Sequence, residues 1–462
     1  MNREQKNKEN EGRKQALRFA GFVVVFCILF FSLQYVLTPD YDAFTETGEP
    51  IMEGARFYSR LTIHDLYTSE DNIDMLFLGS SHTYWQYDPS IIDSYLGVHS
   101  FNAGTSAQQL DTSYALLVEA GKKNSIDTVF LELCPSVKGI VYSEREDLSP
   151  VYVVSDYMHF GLNKVKYLLN ASQSAFYVNS FFPLLRNKDN YLDRGYVKNA
   201  VLRTTGKDFS HYSTPEVSSD TKQWYVERGF LANNNAVENE DWKTSERLSM
   251  IKEEMFSSEE LKALSKIADY CKKHSIRLIL ISTPLTDFNN AQPGNYDIGR
   301  EQIASFAKEN DLEFYDFNLC RPEYLTGESS KYFDPSHMNY IGAEEYSDLV
   351  GRFFSGEIAE KDLFYDSYED KLKEMGNRVF GLAISVDTGE DEKTVHLEPV
   401  ASTEFPVYVN VKSISSDGTE KTIMEDHILD DVHFDTEESG TLVVEVLGDS
   451  HAEVTNIIHI DY

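Results

Sequence analysis

Residues 73–82 read Ile-Asp-Met-Leu-Phe-Leu-Gly-Ser-Ser-His. A short apolar run that stops abruptly at a glycine reads as a buried strand followed by a turn. Gly79 permits a tight turn there. Ser81 is then expected on a strand-to-helix turn at the carboxyl edge of a sheet, with its hydroxyl presented to a cleft. The same rhythm continues outward. Asp88-Pro89 pairs an N-cap residue with a proline at the first helical position, predicting a helix to about Leu96. Val98–Asn102 is a second strand, Gln108–Lys123 a helix, and Ile126–Leu133 a third strand with the nearly continuous apolar character of strands buried on both faces. Ser257-Ser258-Glu259-Glu260 supplies a capping box for a helix reaching Lys273. Strand Ile276–Ser282, a helix near Ile298–Lys308, strand Leu312–Phe317 and a last helix from about Tyr340 complete the series; that helix carries Ile341, Leu349, Val350, Phe353 and Phe354. Strands alternating with helices predict an α/β fold, a five-stranded parallel sheet with helices on both faces.

The chain has 462 residues, 41% hydrophobic, which suits two or three domains with real cores. Its 42 Lys and Arg face 76 Asp and Glu, a net charge of -34. Such a surface repels phosphate backbones, so nucleic acid is not an expected partner. Four cysteines, one of them (Cys27) inside an apolar segment, make no disulfide framework and no metal-ligand spacing. Neither metal nor cofactor is expected.

Phe19–Leu37 runs 19 positions without a charge, about the length needed to cross a bilayer as a helix. Six basic residues precede it, and none follows before Arg56. The positive-inside rule predicts a cytoplasmic tail (1–18), a single transmembrane anchor (19–37) in the cell membrane, and export of everything beyond it. A cleaved signal peptide fits less well, for want of a small-residue cleavage site. Residues 38–71 are expected to be a linker and approach segment, and 72–357 the α/β domain. Within the latter, 136–256 breaks the alternation and is expected to be a largely helical insertion that covers or walls the site. From about Arg378 the pattern changes to period-2 runs with a turn signal at Asp417-Gly418. This predicts an antiparallel, sandwich-like β domain over 376–462. That stretch holds 4 Lys and Arg against 19 Asp and Glu, a local charge of -15 (4 − 19), which serves either to bind cations or to keep the face solvated.

Three pieces carry chemistry. The first is Ser81. The second is Asp334-Pro335-Ser336-His337, where Asp and His three apart can meet, so that Asp334 fixes the tautomer and leaves His337 Nε2 to take a proton from serine. The third is the loop Phe101-Asn102-Ala103-Gly104-Thr105-Ser106, whose backbone N–H groups can face a developing oxyanion. Singly, each piece has an ordinary reading as a cap or turn.

Together and in this order they resemble the SGNH (GDSL-like) hydrolase superfamily over about residues 72–355, the insertion unmatched. The resemblance implies Ser81 as nucleophile, His337 as general base and acid, and Asp334 as its orienter. It also implies an oxyanion or substrate-binding group from Ser81, Asn102, Gly104 and Ala107. Two departures stand out. Ser80 occupies the usual aspartate position. Leu133-Cys134-Pro135-Ser136 has no asparagine where the third block normally supplies one, so the hole lacks a donor or draws one from the insertion. Cys134 is read as a packed core residue. His82 either touches substrate or faces solvent. Phe181–Arg186 is similar to a segment of cell-surface members, where Arg186 binds a phosphate or carboxylate or else packs over aromatics.

The serine block is similar to a membrane-anchored branch that includes the proteins of D-alanyl-lipoteichoic acid transfer and alginate O-acetylation. That resemblance implies an extracellular serine acyltransferase or esterase acting on a cell-surface or exported glycopolymer, with a multipass membrane-bound O-acyltransferase as partner. The rival readings are a non-catalytic glycan-binding or assembly protein and a free esterase of small esters.

Overall fold

The computed structural model describes residues 3–37, 55–135, 148–192, 194–195, 198, 222–237, 242–245, 256–389, 392–435 and 438–462. The chain divides into two compact units, Met1–Leu61 with Ser143–Ser213, and Thr62–Tyr142 with Thr214–Tyr462.

In the first unit a single helix, α1 (Arg3–Leu37), begins within the basic tail and runs through the apolar stretch. Within Glu11–Gln34 an 18-residue stretch has a mean hydropathy of 2.4, so the helix is long and apolar enough to cross a membrane. Short helices follow at Ser149–Ser155, Leu162–Ala171, Tyr177–Phe181 and Pro183–Arg186. The expected linker 38–71 is partly helical, since Ala55–Thr68 forms a helix; residues 38–54 lie outside the described residues.

The second unit is built on five parallel strands: β1 (Met75–Leu78), β2 (Ser100–Asn102), β3 (Thr128–Glu132), β4 (Arg277–Ser282) and β5 (Glu313–Asp316), in the order β2-β1-β3-β4-β5. Side chains alternate across a strand. Met75 and Phe77 of β1 therefore enter one core with Phe130, Ile279 and Ile281, covered by Ile92 from helix α3 (Pro89–Leu96) and by Tyr346, Leu349, Val350 and Phe353 of the last helix. Helices α4 (Leu110–Ala120) and α5 (Ser258–His274) contact β1 and β4 respectively and each other, with Tyr114 against Tyr270. Local signals act where expected. Asp88 accepts from Ser90 N–H and Gly97 closes α3 in the left-handed region. Ser257 and Glu260 form the reciprocal capping box of α5. Helices α6 (Tyr296–Glu309) and α7 (Tyr340–Phe354) complete the layers.

The chain leaves β1 toward β2 on one side and returns to β3 on the other. In open α/β sheets such a reversal opens a crevice at the carboxyl ends of the strands. Here the crevice lies at the end of β1.

The insertion departs from expectation. Its described first half is helical, but its second half is β: a hairpin pairs Gln223–Tyr225 with Leu231–Asn233, and Lys243–Thr244 is a strand. The hairpin caps the sheet edge, with Asn102 N–H donating to the Arg228 carbonyl. Lys243–Thr244 joins the C-terminal region, pairing in parallel with β6 (Val379–Thr388). Two four-stranded sheets follow. One sets Lys243–Thr244 beside β6, β7 (Glu392–Ala401) and β10 (Val432–Asp435). The other has the order β9 (Glu420–Ile428), β8 (Tyr408–Ser415), β11 (Gly440–Leu447), β12 (Val454–Asp461). Leu382, Val395, Val409, Val411, Leu442, Val444 and Ile458 fill the space between. Phe380, Ala383 and Val400 instead enter the core of the α/β layers beside Trp242 and Phe288, so the sandwich is packed against the parallel sheet.

Candidate active site

Strand β1 ends at Leu78, and Ser81 opens the six-residue helix α2 (Ser81–Gln86). The turn between them needs glycine. A Cβ on Gly79 would lie 2.2 Å from Thr83 Oγ1 and 2.5 Å from Glu132 Cβ, where no carbon fits. Asp334 and His337 face each other across a two-residue turn joining the short strands Tyr332–Asp334 and His337–Met338. Asp334 Oδ1 accepts from Ser336 N–H at 2.8 Å and His337 N–H at 2.9 Å, so the carboxylate shapes the turn that presents the imidazole. The turn is tied down from outside, because the Pro335 carbonyl accepts from Thr286 Oγ1 at 2.6 Å.

These elements bring the three side chains into one chain of contacts. His337 Nδ1 lies 2.8 Å from Asp334 Oδ2, and His337 Nε2 lies 2.7 Å from Ser81 Oγ. With Nδ1 donating to the carboxylate, Nε2 is the acceptor for the serine proton. Burial lowers the His337 pKa, and the Asp334 hydrogen bond offsets this in part while neighbouring His82 pushes it further down. The net result is an imidazole that is neutral at lower pH than usual. Burial by itself would raise the Asp334 carboxyl; the hydrogen bond and charge of His337 and the contacts of Ser336 outweigh it and hold the carboxyl below its usual range. The His337 ring stacks on Phe333 at 5.4 Å, and Phe333 meets the buried Trp85 edge-on at 5.1 Å.

His82 does not face solvent. It is buried, its ring 5.2 Å from that of His337 and its Nδ1 3.3 Å from Glu132 Oε1. Glu132, the last residue of β3, also accepts from Ser80 N–H at 3.2 Å and Ser80 Oγ at 3.1 Å. One buried carboxylate thus holds the residues on both sides of Ser81. Burial would raise this carboxyl, but the His82 and Ser80 interactions together hold it below its usual range. Sequence reasoning passed over Glu132, although a charge at the end of an otherwise apolar strand was the available signal. At the position where the resemblance leads one to expect aspartate, Ser80 donates to this glutamate.

The β2 loop is corrected in its details. Asn102 is fully buried. Its Nδ2 donates to the Thr83 and Tyr87 carbonyls at 2.8 and 3.0 Å, and its Oδ1 accepts from Gly104 N–H at 3.0 Å. Both residues therefore build the loop, the Asn102 amide and the two N–H groups being hydrogen-bonded within the protein. Ala103 and Thr105 N–H groups are likewise committed, to Phe77 and Gly79 carbonyls. Ala107 is solvent-exposed with φ 47°, its carbonyl accepting from Gln109. Among the described residues, the N–H groups of Ser81 and Ser106 have no protein acceptor. Cys134 is half-buried, and Ser136 lies outside the described residues.

Arg186 belongs to the other unit. Its guanidinium pairs with Asp156 at 2.5 Å and lies 3.9 Å over the Tyr152 ring, with the side chain 14% exposed. The guanidinium thus packs over an aromatic ring with Nη2 on Asp156, while its Nη1 has no hydrogen-bond partner among the described residues.

No family model matches the chain, and no curated protein does. Among solved structures, a GDSL-like lipase from Bacteroides thetaiotaomicron overlays at 12% identity and a TM-score of 0.29, covering 66% of this chain and 100% of that chain. A proposed acylhydrolase from Bacteroides fragilis gives 10% identity and a TM-score of 0.30, covering 66% and 99%. Overlays this shallow carry no argument about chemistry, which rests on the residues described above.

Proposed function

We propose that the protein is a membrane-anchored serine acyltransferase or esterase that acts on a glycopolymer outside the membrane. The observation that carries this reading is the continuous contact from Ser81 Oγ through His337 to Asp334 at 2.7 and 2.8 Å, sited at the crevice of the sheet. Ser81 Oγ attacks the carbonyl carbon of an acyl donor as its proton passes to His337 Nε2. Asp334 keeps Nδ1–H in place and stabilises the imidazolium. The tetrahedral oxyanion takes a hydrogen bond from Ser81 N–H, with Ser106 N–H on the neighbouring loop as the candidate second donor. Collapse breaks the bond to the leaving group, which receives the proton back from His337, and leaves an ester on Ser81. A sugar hydroxyl or water then gives its proton to His337 and takes the acyl group. The six basic residues ahead of the apolar stretch of α1 support export of the site, which places it where an acyl donor brought across the membrane would emerge. A multipass O-acyltransferase is the fitting source of that donor.

The test is labelling by a fluorophosphonate, which reports an activated serine. The wild-type protein is expected to label and Ser81→Ala is not. A wild type that fails to label, or a mutant that labels equally, overturns the reading in favour of a non-catalytic glycan-binding protein. Robust turnover of nitrophenyl acetate without polymer would select the free esterase over the transferase.

A further inference from the structure

Within the unit formed by Met1–Leu61 and Ser143–Ser213, α1 is not equally bare along its length. Residues 11–29 are exposed, whereas Phe30, Gln34 and Val36 are half-buried. The cover includes Phe182, whose ring meets that of Phe30 edge-on at 5.5 Å. Phe30 lies seven residues before the helix end at Leu37, about 10 Å along the axis at ~1.5 Å per residue. A helix that crosses the bilayer therefore carries Phe182 down to the level of the acyl chains.

The segment around Phe182 has the surface for that position. Phe160 is 83% exposed, Leu162 81% and Leu192 96%, and Leu169, Val178 and Leu185 are also exposed. Large apolar side chains scattered singly need no explanation, but this many in one stretch mark a docking face. Leu162, Lys166 and Leu169 fall at i, i+4 and i+7, one side of a helix whose other side buries Tyr167, Leu168 and Ala171. Charge points the same way. Residues 156–192 hold four Lys and Arg against two Asp, Arg186 being paired with Asp156, a local charge of +2 (4 − 2) in a chain whose net charge is -34.

We propose that residues 160–192 form a platform lying in the bilayer interface beside their own anchor helix. The apolar side chains enter the acyl boundary of the leaflet from which the carboxyl end of α1 emerges. The exposed Lys166 and Lys188 reach anionic headgroups, their stems lying along the apolar surface. The occupant is the lipid bilayer itself. This assignment does not depend on the chemistry of Ser81.

The experiment uses the full chain in vesicles of phosphatidylcholine and phosphatidylglycerol. Its three tryptophans, Trp85, Trp224 and Trp242, are all buried and give a constant background. Leu162→Trp and Val178→Trp are compared with Ile457→Trp, an exposed position on β12. When dibrominated lipid replaces ordinary lipid, emission of the added tryptophan at 162 and 178 is expected to fall to about half, as suits a side chain ~5–10 Å into the interface. The 457 control should not respond. Leu169→Trp and Leu185→Trp give the same reading should either first variant misfold. Platform tryptophans that ignore brominated lipid and are quenched by aqueous iodide like the control would overturn the proposal and leave the face to water or to a protein partner.

Discussion

Ser81 Oγ and His337 Nε2 meet at 2.7 Å although 256 residues separate them. The first sits on a turn held by Gly79 and Glu132 and the second on a turn held by Thr286. Neither side chain is placed by its neighbours in sequence alone, so damage to either turn should register as lost chemistry before lost fold.

Asp334→Asn isolates the orienting role. Asparagine keeps the shape of the carboxylate but offers an NH2 to one side, so the imidazole is driven toward the tautomer with Nε2 protonated, which cannot accept from Ser81. By analogy with such replacements, kcat for ester turnover should fall about 10⁴-fold, with binding little changed. Fluorophosphonate labelling rates follow the same loss. A decrease of less than about tenfold, ~1.4 kcal/mol, would place Asp334 outside the reaction.

The pH profile follows from the direction of the His337 shift. The base must be neutral to accept a proton, and its pKa lies below the usual 6.5. Activity should therefore rise with pH along an acid limb centred below 6.5 and be flat by neutrality. His82 contributes to the depression, so His82→Gln should move the limb of kcat/KM upward toward 6.5. A limb at or above 6.5 in the wild type, or a downward move in the variant, contradicts this assignment.

How much of this was legible in the sequence depends on how far each partner lies along the chain. Caps and turns depend on residues within one turn of each other, so Asp88, the Ser257–Glu260 box and the Asp334–His337 pair were readable and are found in place. Glu132 was not, because its partners Ser80 and His82 are about fifty residues away. Arg186 found Asp156 at a distance of thirty. Asn102 and Gly104 lie in the expected loop, but the choice of which atoms face inward is made by Thr83 and Tyr87 carbonyls that no local pattern announces. Strand β9 carries little sequence signal for a different reason. Its residues are exposed or half-buried throughout, so backbone pairing with β8 holds it and no alternation marks it.

Glu132→Gln tests the carboxylate beneath the nucleophile. Its two oxygens accept from Ser80 and from His82, all donors. Glutamine keeps one acceptor for Ser80 but offers an NH2 to His82 Nδ1, which must then take the opposite tautomer or be left donor against donor. Such a buried mismatch costs about 1–3 kcal/mol. Thermal unfolding should show that loss, and kcat should fall with KM nearly unchanged, because the residues that Glu132 holds, Ser80 and His82, flank Ser81. A destabilised protein with full kcat would make Glu132 structural only.

Gly79→Ala puts the geometry of the turn itself to the test. The added methyl would fall 2.5 Å from Glu132 Cβ and 2.2 Å from Thr83 Oγ1. Glu132 is anchored by Ser80 and His82, and Thr83 lies in α2 with its backbone carbonyl held by Asn102. Neither side can yield freely, so the strain passes to the backbone that carries Ser81. Overpacking of this kind costs about 1–3 kcal/mol, and a shift of ~1 Å in a reacting group costs about 10²-fold in rate. The variant should thus fold with a lowered unfolding midpoint and lose about a hundredfold in labelling rate. Alanine tolerated without either change would mean that the turn has room the present geometry excludes, and with it that Ser81 is less firmly held than its contacts indicate.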